Sequence, residues 1–326
     1  MPPLCRQPRA MLADLNFAIL ITAPVFLIVA LGAWLKRLGW ISDEFVRVGS
    51  ILVFNISLPS LLFVKLAQTD FRHGLPLELI GYALLATTLA FVLLECCLGP
   101  WLARREDRGA FVQGVFRSNM GIVGLAYSLA AFGDPALVTA SIYLGVLTIL
   151  YNVLALITLT RHRAGGADGA LRPARLLRGI VSNPLILSII AGGGVSLAAI
   201  PVPAVLLQTG GYFADLALPL ALLCTGASIR LREFRGSGTL YAAIAGKLLL
   251  LPLAITGGGV LLGLRGIELG VLYLMCAAPT AAASYPMARA MSANHHLAAA
   301  IVAGSTLGSI ISTTLGIFVL RRLELI

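Results

Sequence analysis

The chain has 326 residues, of which 59% are hydrophobic and only 12% are charged, and its mean hydropathy is +0.94. This composition excludes a soluble globular enzyme, because a soluble domain carries about 25% charged residues. The formal net charge of +10 does not indicate a nucleic-acid partner, since the basic residues are spread over short loops between apolar stretches.

Ten apolar stretches are long enough to cross a bilayer, so we predict an all-α polytopic membrane protein with ten transmembrane helices. Arg6 and Arg9 precede the first stretch as in a signal peptide, but the apolar run that follows is too long for one. We expect residues 1–10 to be dispensable and Met11 to be the working start. The predicted spans are residues 16–35, 46–65, 77–98, 110–132, 135–160, 181–200, 203–228, 239–263, 267–290 and 296–320.

The lysines and arginines in the loops and at the ends of the spans predict the orientation. Fifteen of them fall on the side of the polar connection 161–180, and seven fall on the other side. Cytoplasmic loops carry the excess of positive charge. We therefore predict a multi-pass protein of the cell inner membrane, with residues 161–180 cytoplasmic and both termini extracytoplasmic.

The two halves of the chain share a motif. Asn55-Ile-Ser-Leu-Pro59 in the second span matches Asp215-Leu-Ala-Leu-Pro219 in the seventh, and the same spacing places the first five spans on the last five. Because five is an odd number, the two repeats must have opposite orientations, as in secondary transporters. We predict one repeat over 1–160, a linker over 161–180 and the inverted repeat over 181–326.

The ninth span contains a break. Pro279 lies near its middle and is followed by Thr280, Ser284 and Tyr285. A proline removes a helical hydrogen bond, and the freed carbonyl groups need partners in hydrocarbon, so a broken helix lies against protein or a water-filled cavity. The alternative is a kinked helix that serves only packing.

The fourth span corresponds to the ninth in the repeat, and it contains Asn119, Gly121 and Gly124. Glycines weaken a helix, so we predict a second break here and a crossing of the two broken helices. The helix that resumes after each break presents free N–H groups and a positive dipole end, which favour an anion. The alternative is close packing through small residues.

Three charged residues lie well away from the ends of the predicted spans, where charge is costly. Arg117 either reaches the membrane surface or attracts an anion, and for Lys247 we expect the surface. Asp215 is expected to be the most deeply buried acid. It either binds a coupling proton or pairs with Lys247.

No catalytic, cofactor or metal motif is found. The sequence contains no H-E-x-x-H and no G-x-S-x-G motif, and the five cysteines have no metal-ligand spacing. We predict no enzyme activity, no cofactor and no metal.

Five segments of the chain match a known family: 52–63, 117–124, 183–185, 218–226 and 277–285. Together they resemble the auxin efflux carrier family, which includes the plant auxin exporters and bacterial malonate and malate permeases. The resemblance implies ten spans in two inverted halves, a site where spans 4 and 9 cross, and a scaffold that slides against a transport bundle. The chain departs from the usual Gly-Leu-Pro-Leu of span 4 at Gly124-Leu-Ala-Tyr127.

We therefore expect a secondary transporter of a small organic anion that works by alternating access in the lipid bilayer. A proton is a candidate coupling ion, and a homodimer is left open. The alternatives are a non-transporting membrane sensor and a sodium-coupled symporter of the bile-acid type. That related family uses acidic sodium ligands in span 9, whereas residues 270–290 contain no acid. The expected substrate-binding residues are Asn55, Asn119, Gly121, Gly124, Pro279, Thr280, Ser284 and Tyr285.

Overall fold

The computed structural model describes residues 8–69, 76–162, 182–229 and 237–326. Within these ranges the chain is helical, and the only β-type pairing is one isolated bridge. Seven helices are long and apolar enough to cross a membrane: α1 Met11–Arg37 (helical from Pro8), α2 Asp43–Ala67, α3 Leu77–Trp101, α6 Asp134–Arg161, α8 Ala204–Ala227, α9 Gly238–Leu261 and α12 His295–Arg322.

The remaining helices are shorter. They are α4 Arg108–Phe116, α5 Met120–Phe132, α7 Pro184–Leu197, α10 Gly266–Ala277 and α11 Ser284–Ala290. The sequence prediction of an all-helical polytopic membrane protein is confirmed, and each predicted span overlaps one or two of these helices. The order of ten spans in two inverted repeats stays a prediction, and most of the predicted linker 161–180 lies outside the described residues.

Three of the long helices contain a π turn just before a proline. The N–H of Leu58 donates to the Val53 carbonyl, that of Gly99 to Leu94, and that of Leu251 to Gly246. Pro59, Pro100 and Pro252 follow immediately. A proline ring clashes with the preceding turn, and widening that turn accommodates the ring without breaking the helix.

Contacts between helix ends show which turns are neighbours. Asn294 donates to Asp107 at 2.7 Å, which joins the turn before α12 to the turn before α4. At other helix ends Lys65 pairs with Asp134 at 2.8 Å, and the Gly266 N–H donates to the Leu325 carbonyl at 2.8 Å. Helix α10 packs against α5, and helix α11 packs against α4, so the interrupted segments α4–α5 and α10–α11 lie side by side.

Candidate functional site

The first interruption separates α4 from α5. The helix ends at Phe116, Arg117 is extended (φ −85°, ψ 103°), and Asn119 has φ −80° and ψ 62°. The chain then re-enters a helix through a π turn, Met120–Gly124. Gly124 fits there because a Cβ at this position would lie 2.7 Å from the Met275 sulfur on α10. Gly124 therefore serves close packing.

The second interruption separates α10 from α11. The helix ends at Ala277, and Ala278 takes φ −52° and ψ 142°, a conformation that a residue before proline favours. Pro279 lacks the N–H that would continue the helix. The chain resumes a helix at Ser284, whose N–H already donates to the Ala281 carbonyl at 2.9 Å.

The two interruptions pair with each other through their backbones. Ser118 and Thr280 form an isolated antiparallel bridge, the Asn119 N–H donates to the Pro279 carbonyl at 2.7 Å, and the Ala281 N–H donates to the Arg117 carbonyl at 3.0 Å. Each broken segment thus supplies hydrogen-bond partners for the other, as backbone at membrane depth requires. We call residues 117–119 and 278–283 the crossing.

Hydroxyl side chains satisfy further backbone groups at the crossing. The Thr280 hydroxyl donates to the Gly114 carbonyl at 2.6 Å, and the Ser305 hydroxyl of α12 accepts the Thr280 N–H at 3.0 Å. The Ser118 hydroxyl donates to the Cys276 carbonyl at 3.1 Å. Thr280 is therefore a structural residue of the crossing, fully buried between α4 and α12.

Lys247 lies inside the bundle, so the expectation that it reaches the membrane surface is wrong. Its side chain is fully buried, and Nζ donates to the Ser118 hydroxyl and, at 2.9 Å, to the Cys276 carbonyl. The π turn of α9 carries Lys247 on its inner face. Lys247 thereby contacts both interrupted segments at once.

Arg117 does not reach the surface either. One guanidinium nitrogen donates to the Asn152 side-chain oxygen on α6 at 2.8 Å, and another contacts the Met287 sulfur at 2.6 Å. A thioether is a weak acceptor and a guanidinium has five N–H donors, so much of the donor capacity of Arg117 is not used by strong acceptors.

A cavity of about 340 Å³ adjoins the crossing, and we call it the crossing cavity. Arg117 is the charged residue that lines it, and no aspartate or glutamate is found among the described residues that do so. The other polar side chains come from α2, α6, the crossing and the residue before α7: Asn55, Ser118, Asn119, Thr148, Tyr151, Asn152 and Asn183.

A larger cavity of about 560 Å³ adjoins the crossing at Ala282. It is lined by Tyr285 together with residues of α2, α5, α8 and α12, and it extends to Lys36 and Arg47. Lys36 pairs with Asp43 at 2.8 Å beside this cavity. Phe54 and Ala282 line both cavities, so the two cavities are neighbours.

The predicted site residues fall into three groups. Asn55, Asn119, Gly121 and Arg117 line the crossing cavity, and Tyr285 lines the larger cavity. Behind these surfaces lie buried residues that support the crossing: Gly124, Pro279, Thr280, Ser284 and Lys247. The crossing thus brings together most of the residues that the sequence singled out.

Asp215 is the exception. It is exposed on α8, it lines neither cavity, and Lys247 has other partners, so the predicted burial and the predicted pair with Lys247 are both wrong. The buried acids in the described part of the chain are Glu95 and Asp14. Glu95 accepts from Thr158 at 2.8 Å and lies 2.7 Å from the His162 ring nitrogen.

Sequence reasoning did not single out Asn152, Tyr151 or Thr148 of α6. Asn152 carries the only amide side chain of its membrane-spanning helix, and this is a signal of the same kind as Asn119. Among the described residues, no group of three histidine, cysteine, aspartate or glutamate side chains is placed to hold a metal ion.

Comparison with known proteins adds the family context. A family model described as "Membrane transport protein" matches residues 17–167 and 173–317. The chain is 27% identical over 303 residues to an "Uncharacterized transporter" of Methanothermobacter thermautotrophicus, covering 89% of this chain and 94% of the relative. It is 24% identical over 319 residues to the "Uncharacterized transporter YfdV" of Escherichia coli K12, covering 94% and 99%. It is also 24% identical over 309 residues to a "Putative malonate transporter" of Rhizobium meliloti, covering 91% and 94%.

Proposed function

Because the chain belongs to the membrane transport protein family, that of the auxin efflux carriers, we propose that it carries a small organic anion across the inner membrane by alternating access. The observation that carries the proposal is the charge of the crossing cavity. Arg117 is its charged residue, and the described residues that line it include no acid. A cavity of this charge favours an anion over a cation or a sugar.

The neighbouring groups fit a carboxylate. Asn55, Asn119, Asn152 and Asn183 present amides to the cavity, and Met120 and Gly121 place the start of α5 at its wall. The first N–H groups of a helix lack partners within the helix and bind anions. The guanidinium of Arg117 can hold both oxygens of a carboxylate, the geometry for which arginine is best suited.

The size of the cavity and the relatives narrow the substrate class. Small-molecule sites usually measure roughly 300–1,000 Å³, so a cavity of about 340 Å³ suits a compact substrate. One relative is named as a malonate transporter. A small dicarboxylate such as malonate is therefore the first substrate to test.

The proposed movement is alternating access around the crossing. In the proposed arrangement, two inverted repeats, 1–160 and 181–326, contribute one broken helix each, and the linker 161–180 is cytoplasmic. Lys36, Arg47 and Asn183 then lie toward the cytoplasmic end, so both cavities face the cytoplasm in this conformation. Sliding of the other helices past the crossing would expose the same residues to the extracytoplasmic side.

Counterflow in proteoliposomes tests the proposal. Vesicles loaded with unlabelled malonate should take up labelled malonate against its gradient, and a panel of other mono- and dicarboxylates defines the substrate. Arg117→Gln should lose most of this exchange, whereas Arg289→Gln, at an exposed arginine of α11, should retain it.

Two outcomes would redirect the proposal. If no carboxylate in the panel exchanges while the protein is folded in the vesicles, the protein is not a carboxylate carrier, and a membrane sensor becomes the better interpretation. If uptake requires sodium, the protein is a symporter of the bile-acid type, despite the absence of acids from residues 270–290.

A further inference from the structure

Lys247 has no counter-charge in the described part of the chain. Its side chain is fully buried in the π turn of α9, and the partners of Nζ among the described residues are a hydroxyl and a carbonyl, with no carboxylate. Burying an ammonium without an anionic partner has a high free-energy cost, because the charge loses its hydration and gains no compensating interaction. The position therefore needs either a neutral amine or an anion nearby.

The hydrogen bonds of Nζ match the neutral amine. Its two acceptors are the Ser118 hydroxyl and the Cys276 carbonyl. A neutral amine has two N–H donors and is satisfied by these two, whereas an ammonium has three. A third acceptor, or a nearby negative charge, is what the protonated form would require.

Among the described residues, the helices that pack around Lys247 offer no negative charge that could stabilise its protonated form. Helices α4, α10 and α12 pack around the π turn. Among the ionisable side chains of these helices and of α9, the Cys276 thiol of α10 is the one that interacts electrostatically with Lys247. Arg117, at the end of α4, directs its guanidinium to Asn152 and Met287.

Ser118 connects Lys247 to the crossing cavity. Its hydroxyl contacts Nζ directly and the side chain lines the cavity, whereas Lys247 does not. The Tyr151 hydroxyl, which also lines the cavity, faces the same serine. An anion bound beside Arg117 would thus lie one side chain away from Nζ.

We propose that Lys247 is the proton-binding residue that couples proton movement to anion transport. When a carboxylate dianion enters the crossing cavity, the Nζ lone pair takes one proton from the aqueous side and the amine becomes an ammonium. When the anion leaves on the other side, the ammonium returns that proton to solution there. This inference rests on the proposed function, because it needs an anion in the crossing cavity.

Thermodynamic linkage makes the coupling between anion binding and protonation of Lys247 reciprocal. If the anion raises the proton affinity of Lys247, then protonation of Lys247 raises the anion affinity by the same factor. For one fully linked proton the affinity falls about tenfold for each unit of pH increase. Lys247 acts here as a positioning and coupling residue, since it does not touch the substrate.

Calorimetry of malonate binding at pH 8.5 in buffers of different ionisation enthalpy counts the protons taken up. Malonate is a dianion at this pH, so its own ionisation does not contribute to the count. Wild type should take up close to one proton per malonate bound. Lys247→Gln, which keeps a neutral donor, should bind more weakly and take up close to none. Lys65→Gln, at a lysine paired with Asp134 at a helix end, should match wild type.

Each outcome decides a different question. If malonate and the other carboxylates do not bind wild type at any pH, the proposed function fails. If they bind with no proton uptake, or if Lys247→Gln takes up as many protons as wild type, only the coupling role of Lys247 is overturned. Should Lys247→Gln fail to fold, Lys247→Met provides the same comparison, and the proton count of wild type at pH 8.5 still decides: uptake near one supports the proposal and uptake near zero overturns it.

Discussion

Asn119 occupies the point where the first interrupted segment turns from the crossing into α5. It lines the crossing cavity, and its backbone N–H is already engaged by the Pro279 carbonyl. Under the proposed function, the side-chain amide is therefore the part of Asn119 that is left to bind the substrate. The neighbouring side chains already have hydrogen-bond partners: Arg117 donates to Asn152 of α6, and the Ser118 hydroxyl accepts from Lys247 of α9.

Asn119→Leu should weaken substrate binding with little effect on folding. A hydrogen bond to a charged group contributes about 1.5–3 kcal/mol, so the Kd should rise roughly ten- to hundredfold. Titration calorimetry with the substrate measures this, and thermal unfolding of the same sample checks the fold. A Kd within a factor of two of wild type would remove the Asn119 amide from the site.

Asp215→Asn is the matched control for Asn119→Leu, at a polar residue outside both cavities. The side chain is exposed on α8 and lines neither cavity, so neither substrate affinity nor accumulation driven by a pH gradient should change. Uptake under an imposed pH gradient in proteoliposomes measures both. Loss of accumulation with intact exchange would show instead that Asp215 carries the coupling proton.

The wrong predictions for the side chains of Asp215 and Lys247 have one physical cause. Hydropathy fixes how far along a span a residue lies, but not which way its side chain points. Helix α8 is apolar on all sides, so the sequence does not orient Asp215. Asn55, at the matching position of the predicted repeat, lines a cavity, whereas Asp215 does not. Lys247 was misplaced for the same reason, since its π turn rotates it toward Ser118.

At the scale of helices, α1 and α8 approach closely enough for their backbones to touch. A Cβ on Gly226 would overlap the Val29 carbonyl, and a Cβ on Gly32 would overlap the Leu223 carbonyl. Small residues at such contacts are what allow membrane helices to pack without large side chains between them.

Gly226→Ala should therefore destabilise the protein. The new methyl group meets backbone atoms, which cannot rotate away, and overpacking of this kind costs about 1–3 kcal/mol. Gly211→Ala on the same helix is the control, because nothing lies within 4 Å of its Cβ. Unfolding followed in detergent should separate the two variants; equal stability would mean that α1 and α8 are not in this close contact.

Pro279→Ala tests the second interruption. The new N–H could donate to the Met275 carbonyl and extend α10 toward the crossing, which would narrow the crossing cavity. Tertiary bonds at Thr280 and Ala281 oppose that extension, so we expect slower exchange with an unchanged unfolding temperature. Pro219→Ala, at an exposed proline inside α8, should exchange at the wild-type rate. Wild-type exchange by Pro279→Ala would show that the proline is not needed for the break.

At the scale of the whole molecule, the positions of the helices were predictable and their mutual contacts were not. Runs of apolar residues long enough for a bilayer predicted 77–98 and 135–160, and helices occupy Leu77–Trp101 and Asp134–Arg161. The two breaks were predictable from Pro279 and from Asn119 with its glycines. The backbone bridge between Ser118 and Thr280 was not, because pairing between distant segments depends on packing that periodicity does not encode.

The orientation predicted from the distribution of basic residues is tested by cysteine reporters in a background without native cysteines. An impermeant maleimide should label Pro201→Cys in intact cells, and it should label Glu106→Cys only after permeabilisation. A reporter at Gly166, outside the described residues, should behave like Glu106. Labelling of the Gly166 and Glu106 variants in intact cells would invert the topology.

The central claim is that the substrate binds at the crossing, and protection of reporters in the crossing cavity tests it most directly. In detergent-solubilised protein without native cysteines, the carboxylate that gives counterflow should protect Asn55→Cys and Ala282→Cys from maleimide. The labelling rate should fall about tenfold when that carboxylate is present at ten times its Kd, because the free fraction is then about one tenth. Glu106→Cys, at an exposed turn outside both cavities, should label at an unchanged rate. Unprotected Asn55→Cys and Ala282→Cys variants that still bind the substrate would contradict the claim and place the binding site elsewhere.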